Sequence, residues 1–262
     1  MPVLLRPTGR VLGPLALALP AFLVACSTAQ PPAPPPADPG TVEVDAAREE
    51  LAALAAAAQD RHMVAQYVYS QADQPDRTLV FTSANDGSWR VDVPGGALGG
   101  TVDVSMASTT DGLFQCALPS SGHPDPARCV RLGDRDDTIP RRSDPRVQHP
   151  LTDWLDVLTD RRAPLAVAQA DAPEGVTGTC YSVDSTSASL NAPLDVGIYC
   201  YDTDGTPTGV RTGAGALRLA APPGPAPATV QLAGAVVVDA EPLDTAAPPT
   251  PDPSDSPSAG TP

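Results

Sequence analysis

The chain contains no lysine: all 16 basic residues are arginine, set against 31 acids, for a net charge of −15 over 262 residues. Phosphate backbones need a net basic face, so this balance excludes nucleic acid as the expected partner. It equally disfavours a domain lying flat on an anionic lipid surface, which attracts basic segments. Aromatic residues are scarce, at 4 %. A core built here must therefore rest on Val, Leu and Ala. Such small side chains leave room for an unfilled hollow that bulky rings would plug, and interiors ordinarily pack without voids. No apolar run reaches the roughly 20 residues of a membrane span. There is no Cys-x-x-Cys, and His62, His123 and His149 stand in unrelated contexts, so the spacing of a structural zinc site is missing. No cofactor motif is present.

Proline and glycine are abundant, at 33 and 21 residues. The prolines crowd the stretches Pro31–Pro39 and Pro222–Pro262, which leaves Val42–Val238 with ordinary globular composition. The N-terminus reads as an export signal. Met1–Arg10 carries Arg6 and Arg10 and no acid, and Val11–Ala25 is a short apolar stretch interrupted by Pro14 and Pro20. Leu23-Val24-Ala25-Cys26 then reads as a lipobox, with an ordinary secretory signal and a chance cysteine as the plainer alternative. On the lipobox reading residues 1–25 are a signal peptide and Cys26 is the acylated mature N-terminus. Residues 26–41 form a proline-rich tether that extends at about 3.1 Å per residue. Anchoring by two acyl-type chains is durable, since each buried CH₂ contributes about 0.8 kcal/mol. The expected location is the extracytoplasmic face of the cell membrane, with the bilayer as first partner. Loss of Arg6 and Arg10 would take the mature chain from −15 to about −17.

Export places the four remaining cysteines in an oxidising compartment. Cys116, Cys129, Cys180 and Cys200 allow three pairings. Cys116–Cys129 and Cys180–Cys200 are the favoured set, because each pair brackets one hairpin-like excursion.

Val44–Met63 has the alanine content and apolar stripe of a helix, with Leu51 and Leu54 on the stripe and Asp45 as candidate N-cap. The pattern then changes to short β-branched and aromatic runs separated by Asp-Gly turns: Val64–Ser70, Arg77–Ser83, Ser88–Val93, Thr101–Ala107, Gly112–Leu118 and Ala127–Leu132. A charged loop at Gly133–His149 opens onto a second expected helix over Pro150–Arg162, in which Leu151, Trp154, Leu155 and Leu158 keep i, i+3, i+4, i+7 spacing. Strands resume in "PLAVAQA", "TGTCYSV", "GIYCYD", "GVRTG" and "GALRLAA", and "ATVQLAGAVVV" closes the domain. Residues 240–262 have a composition that cannot bury enough apolar surface to order itself. The expectation is one α+β domain over residues 42–239: a large, curved antiparallel sheet of ten or eleven strands, a half-barrel, with helices packed on its concave face.

Lipobox, proline tether, leading helix, long meander, inserted helices and returning strands together resemble the LolA-like lipoproteins of actinobacteria, the LppX and LprG group, over about Val42–Val238. On that resemblance, the cysteines and "GIYCYDTDG" imply a separate branch of the group. The resemblance implies a non-enzymatic envelope protein that binds or carries an acylated lipid or glycolipid between sheet and helices. Leu51, Leu54, Trp154, Leu155 and Leu158 are the candidate cavity lining, with plain core as their other reading. A structural or protein-interaction lipoprotein with a filled core is the alternative.

"DTDG" at Asp202–Gly205 lacks the further ligands of a calcium loop and reads as a turn. "DRDD" at Asp134–Asp137 reads as a solvated acidic loop. Ser120-Ser121-Gly122-His123 has no nucleophile elbow, and no convergent catalytic set is visible. "PGGALGG" at Pro94–Gly100 lacks the lysine of a phosphate loop and fits a strand connection or the lip of a cavity. Arg141, Arg142 and Arg146 concentrate positive charge. Pairing with Asp136, Asp137 and Asp144 is the plain expectation, and a lipid head group at a cavity mouth the functional one. The anchor assignment is tested by Cys26→Ala: the variant should lose acyl label and leave the membrane fraction, and its persistence there as a labelled species would refute the assignment.

Overall fold

In the computed structural model, residues 39–187 and 192–248 are described. The expected signal peptide, the acylated Cys26 and nearly all of the tether lie outside these residues, as does the tail beyond Pro248. The described chain is an α+β domain with a mostly antiparallel 13-stranded sheet and two helices packed against it. Among the described residues, no helix is long and apolar enough to cross a membrane.

Helix α1 (Pro39–Gln59) leads. It starts earlier than its composition predicts, at a proline, whose missing N–H is not needed in a first turn. Asp45 consequently sits inside the helix and does not cap it. It also stops before Met63, because Met63 is already paired with Ser83 at the start of β1 and is fully buried there. Ala47, Leu51, Ala55 and Ala58 form its buried stripe. These small side chains let the helix lie close to other backbone: a Cβ on Gly205 would come within 2.5 Å of Ala57.

Two meanders follow. The first comprises β1 (Met63–Ser70), β2 (Arg77–Ser83), β3 (Trp89–Ala97), β4 (Val102–Thr109), β5 (Gly112–Ala117) and β6 (Arg128–Gly133). The second comprises β7 (Leu165–Ala170), β8 (Thr179–Ser185), β9 (Gly197–Tyr201), β10 (Pro207–Thr212) and β11 (Gly215–Leu219). Period-two alternation sends Tyr67, Tyr69, Leu79, Val91, Val93, Val104, Tyr181, Tyr199, Val210 and Leu217 into one core. The meanders join through β1, which pairs with β2 on one side and β11 on the other. Strand β6 therefore lies near one edge of the sheet and β7 forms the other. The intervening segment has to travel from one edge to the other, and it carries the second helix with it.

That helix is shorter than its apolar spacing predicts. A 3₁₀ turn at His149–Leu151 is followed by a break at Thr152 (φ −130°, ψ −114°), and α2 proper runs from Trp154 to Thr159. The spacing identified the buried side chains correctly: Leu151, Trp154, Leu155 and Leu158 are all in the core. What it did not show is the break, after which Asp153 stands at the N-cap of α2 with its carboxylate against His149. Arg48 of α1 ties the end of this segment down, donating to the carbonyls of Asp160 (3.0 Å), Ala163 (2.7 Å) and Leu165 (2.5 Å).

Both disulfides form as the hairpin argument predicts. Cys116–Cys129 joins facing positions of β5 and β6, and Cys180–Cys200 joins facing positions of β8 and β9.

The C-terminal region differs from expectation. "ATVQLAGAVVV" is not a continuous strand. Within Ala228–Val238 only Ala235–Val236 pairs, as β13, parallel to β6, and Gly224–Pro225, just before this stretch, pairs as β12 against β1. Gly234 passes so close to β6's lead-in that a Cβ would lie 2.0 Å from the Ala127 carbonyl oxygen. Residues 240–248, expected to be without order, are instead held by the domain. Leu98 and Gly99 donate to the carbonyls of Asp244 and Thr245 (2.8 and 2.9 Å), and Thr245 donates to the Arg142 carbonyl (2.7 Å). The buried amide of Gln115 grips Leu243 from both sides: its Oε1 accepts from Leu243 N (2.7 Å), and its Nε2 donates to Leu243 O (3.1 Å) and to Ser143 O (3.2 Å). Composition missed this because the hold is made by backbone and one amide, with Leu243 as the only apolar contribution to the core. Gln115→Ala should lower stability by about 2–3 kcal/mol, since it leaves three backbone groups unpartnered. Urea unfolding with limited proteolysis of the tail checks this, and an unchanged midpoint with an uncut tail would contradict it.

Candidate functional site

A cleft of about 450 Å³ opens between the end of α1, strands β2 to β5, the loop after β6 and the segment leading into α2. Its apolar surface comes from Phe81, Trp89, Leu113, Ile139, Leu151 and Leu155. Its rim is charged and of mixed sign: Arg61 and Arg135 beside Asp136, Asp137, Asp153 and Asp156. Several rim groups are fixed. Arg135 donates to the Gly87 carbonyl (2.6 Å) and its own carbonyl accepts from Ser108 Oγ (3.1 Å). Arg61 pairs with Asp204 at 2.9 Å. Gln59 donates to the Asp156 carboxylate, linking the last residue of α1 to α2.

Of the five residues expected to line a cavity, Leu155 alone lines this cleft. Leu51, Trp154 and Leu158 are buried in the continuous core, and Leu54 packs half-buried against it. The distinction is positional. The stripe of α1 and the inner side of α2 face each other and the sheet, and side chains fill that space.

His149, to which no role was assigned from sequence, stands at the wall of the cleft. Its Nδ1 lies 2.6 Å from Asp153 and its Nε2 2.9 Å from Asp144, and its ring stacks on Trp154 with centroids 5.1 Å apart. The residue is only 7 % exposed. Burial by itself pulls the imidazole toward neutrality and is the largest single influence. The hydrogen bonds to both carboxylates and their charges outweigh it, and the pKa is pushed up to about 9. Asp144 responds in the opposite sense. Burial raises its pKa, but the bonds from His149, Gln148 and the Arg146 N–H hold it below the ordinary carboxylate range. With both nitrogens committed as donors, His149 has no free lone pair with which to accept a proton. The sequence signal was His149 and Asp153 four residues apart, with the loop acid Asp144 five residues before His149.

The remaining motifs resolve as turns. In "DTDG", Gly205 donates to the Asp202 carbonyl (3.0 Å) with a positive φ of 83°, and Asp202 donates to Thr206 (2.8 Å). In "DRDD", Asp137 caps the Asp134 N–H (2.8 Å) and Asp134 pairs with Arg131. Ser120 and His123 exchange backbone hydrogen bonds across a tight turn. Arg142 and Arg146 are paired, but with Glu241 and Asp195, not with the neighbouring acids of their own loop. Among the described residues, no cluster of three or more His, Cys, Asp or Glu side chains is arranged to hold a metal ion.

No protein-family model matches the chain, and a comparison with curated proteins finds no match.

The Asp144–His149–Asp153 cluster makes a signed prediction. A group with a folded pKa near 9 and an unfolded value near 6.5 gives its full stabilisation below about pH 6.5 and loses it as pH rises through 9. Unfolding free energy should fall by up to about 3 kcal/mol across that window. In His149→Asn, uniformly weaker, the fall should disappear. A flat wild-type profile from urea titrations at several pH values would refute the assignment.

Proposed function

We propose that this protein is a lipid-anchored extracytoplasmic binding module that takes an acyl-bearing ligand into the cleft between α2 and strands β2 to β5, without catalysis. The anchor is the acyl-Cys26, and the two disulfides fit an oxidising compartment. In this reading the sheet bends as a half-barrel with both helices on its hollow side, as the resemblance to LolA-like lipoproteins implies. The observation that carries the reading is the character of the cleft: about 450 Å³, within the range of small-molecule sites, apolar at Phe81, Ile139 and Leu155 and charged at the rim. Such a site suits one acyl chain with a polar head. The filled space around Leu51, Trp154 and Leu158 limits the ligand to that scale and excludes a multi-chain glycolipid from the helix–sheet interface.

That same filled core favours a second reading, in which the domain is a tethered structural or protein-interaction lipoprotein. The two diverge in one experiment. Protein purified without detergent is titrated with a fluorescent dodecanoic acid analogue and inspected by native mass spectrometry for retained lipid. Saturable one-to-one binding, weakened on the order of tenfold by Ile139→Asp, which puts a charge into the apolar wall, and weakened by the exposed rim substitution Thr138→Asp, which repels the carboxylate head, supports the acyl site. Absence of saturable binding in the wild type leaves the interaction reading.

A further inference from the structure

A second cleft, of about 440 Å³, lies where the end of β1, the start of β2, the β3–β4 connection and the β10–β11 turn meet. Tyr69 and Arg77 face each other here across β1 and β2. The Tyr69 hydroxyl donates to the Ala214 carbonyl (3.0 Å). The Arg77 guanidinium makes one long hydrogen bond, to Gln71 Oε1 (3.3 Å), and has no carboxylate partner among the described residues. Arg48 and Arg135 also have no carboxylate partner among the described residues but are spent on backbone carbonyls, whereas Arg77 has only the one long bond.

The one carboxylate that lines the cleft, Asp144, is already saturated. It accepts from Arg146 N (3.0 Å), Gln148 Nε2 (2.7 Å) and the His149 imidazolium (2.9 Å). Arg146, also on the wall, is neutralised by Asp195. Arg77 is thus the uncompensated charge of the cleft. Its placement depends on Gly95, which sits at φ +61° and where a Cβ would come within 2.3 Å of the guanidinium. Part of the wall is glycine backbone: the Gly95 N–H is taken by the Asp103 carboxylate (2.6 Å), and at Gly100 and Gly213 nothing lies within 4 Å of where a Cβ would stand.

We infer that this cleft is an anion site, in which Arg77 receives the carboxylate or phosphate group of a small ligand against a floor of glycine backbone. A guanidinium presents two parallel N–H donors that match either oxyanion bidentately. The glycines let a ligand approach closer than side chains would permit. The site is independent of the acyl cleft, sharing no lining residue with it.

The test is an amide NMR titration of the protein with inorganic phosphate, with acetate, and with phosphatidylglycerol vesicles. Saturable shifts at Gly95, Gly100 and Gly213, with affinity in the millimolar range, are expected for at least one of these probes. Arg77→Gln should weaken them on the order of tenfold or more, and Gly213→Leu, at a position where a Cβ meets nothing within 4 Å, should abolish them while the remaining spectrum stays folded. Response to free phosphate or acetate identifies a soluble anion. Response to vesicles alone identifies a lipid head group. The site is overturned if no probe gives saturable shifts there, or if Arg77→Gln leaves them unchanged.

Discussion

The pairing of β1 with β11 is the constraint on which the rest of this structure depends. Without it the chain is two separate meanders, each with an open edge. With it, strands far apart in sequence become central neighbours, locked by Tyr67 Oη on the Pro207 carbonyl (2.9 Å) and Tyr69 Oη on the Ala214 carbonyl. Because that ladder places β6 and β7 at opposite sides of the sheet, the segment between them must cross a face. The crossing brings Leu151, Trp154, Leu155 and Leu158 onto α1 and the sheet, and it leaves one cleft beside the crossing. Core, helix placement and candidate site follow from one strand pairing.

Most of the elements were legible in the sequence, because period-two alternation and Asp-Gly turns are local signals. The second helix was legible in its burial and not in its length: side-chain spacing reports which face is apolar and says nothing of a backbone break such as the one at Thr152. The order of strands was not legible, since nothing local in Met63–Ser70 specifies that its second neighbour is Gly215–Leu219. The same limit applies to the candidate sites. Leu155 was found through its spacing, but Arg77, Gly95 and Gly213 come together only once β1, β2, β3 and the β10–β11 turn are placed. "PGGALGG" reads as a strand connection or the lip of a cavity; Pro94–Ala97 instead belong to β3, and its glycines line the second cleft.

Polar groups here do work that the small apolar side chains cannot. Arg48 holds three carbonyls where α2 ends, Gln115 holds the C-terminal segment, and the imidazolium of His149 holds two loop carboxylates. They act beside a core in which the few aromatic residues are concentrated, Tyr67, Tyr181, Tyr199 and Tyr201 being its largest fully buried side chains. Directional bonds of this kind are unforgiving, because a buried partner left alone costs more than the bond contributes. The arrangement therefore fixes a single geometry around both clefts.

The β1–β11 seam also governs how the polypeptide acquires its shape. Tyr69 and Ala214 are 145 residues apart, so a chain emerging N-terminus first exposes β1 with one bare edge until almost the whole domain has been delivered. Distant pairings of this sort are slow to form, and unsatisfied edges invite foreign strands in the interval. Maturation thus belongs to the period after synthesis, when the late strand arrives and closes the gap.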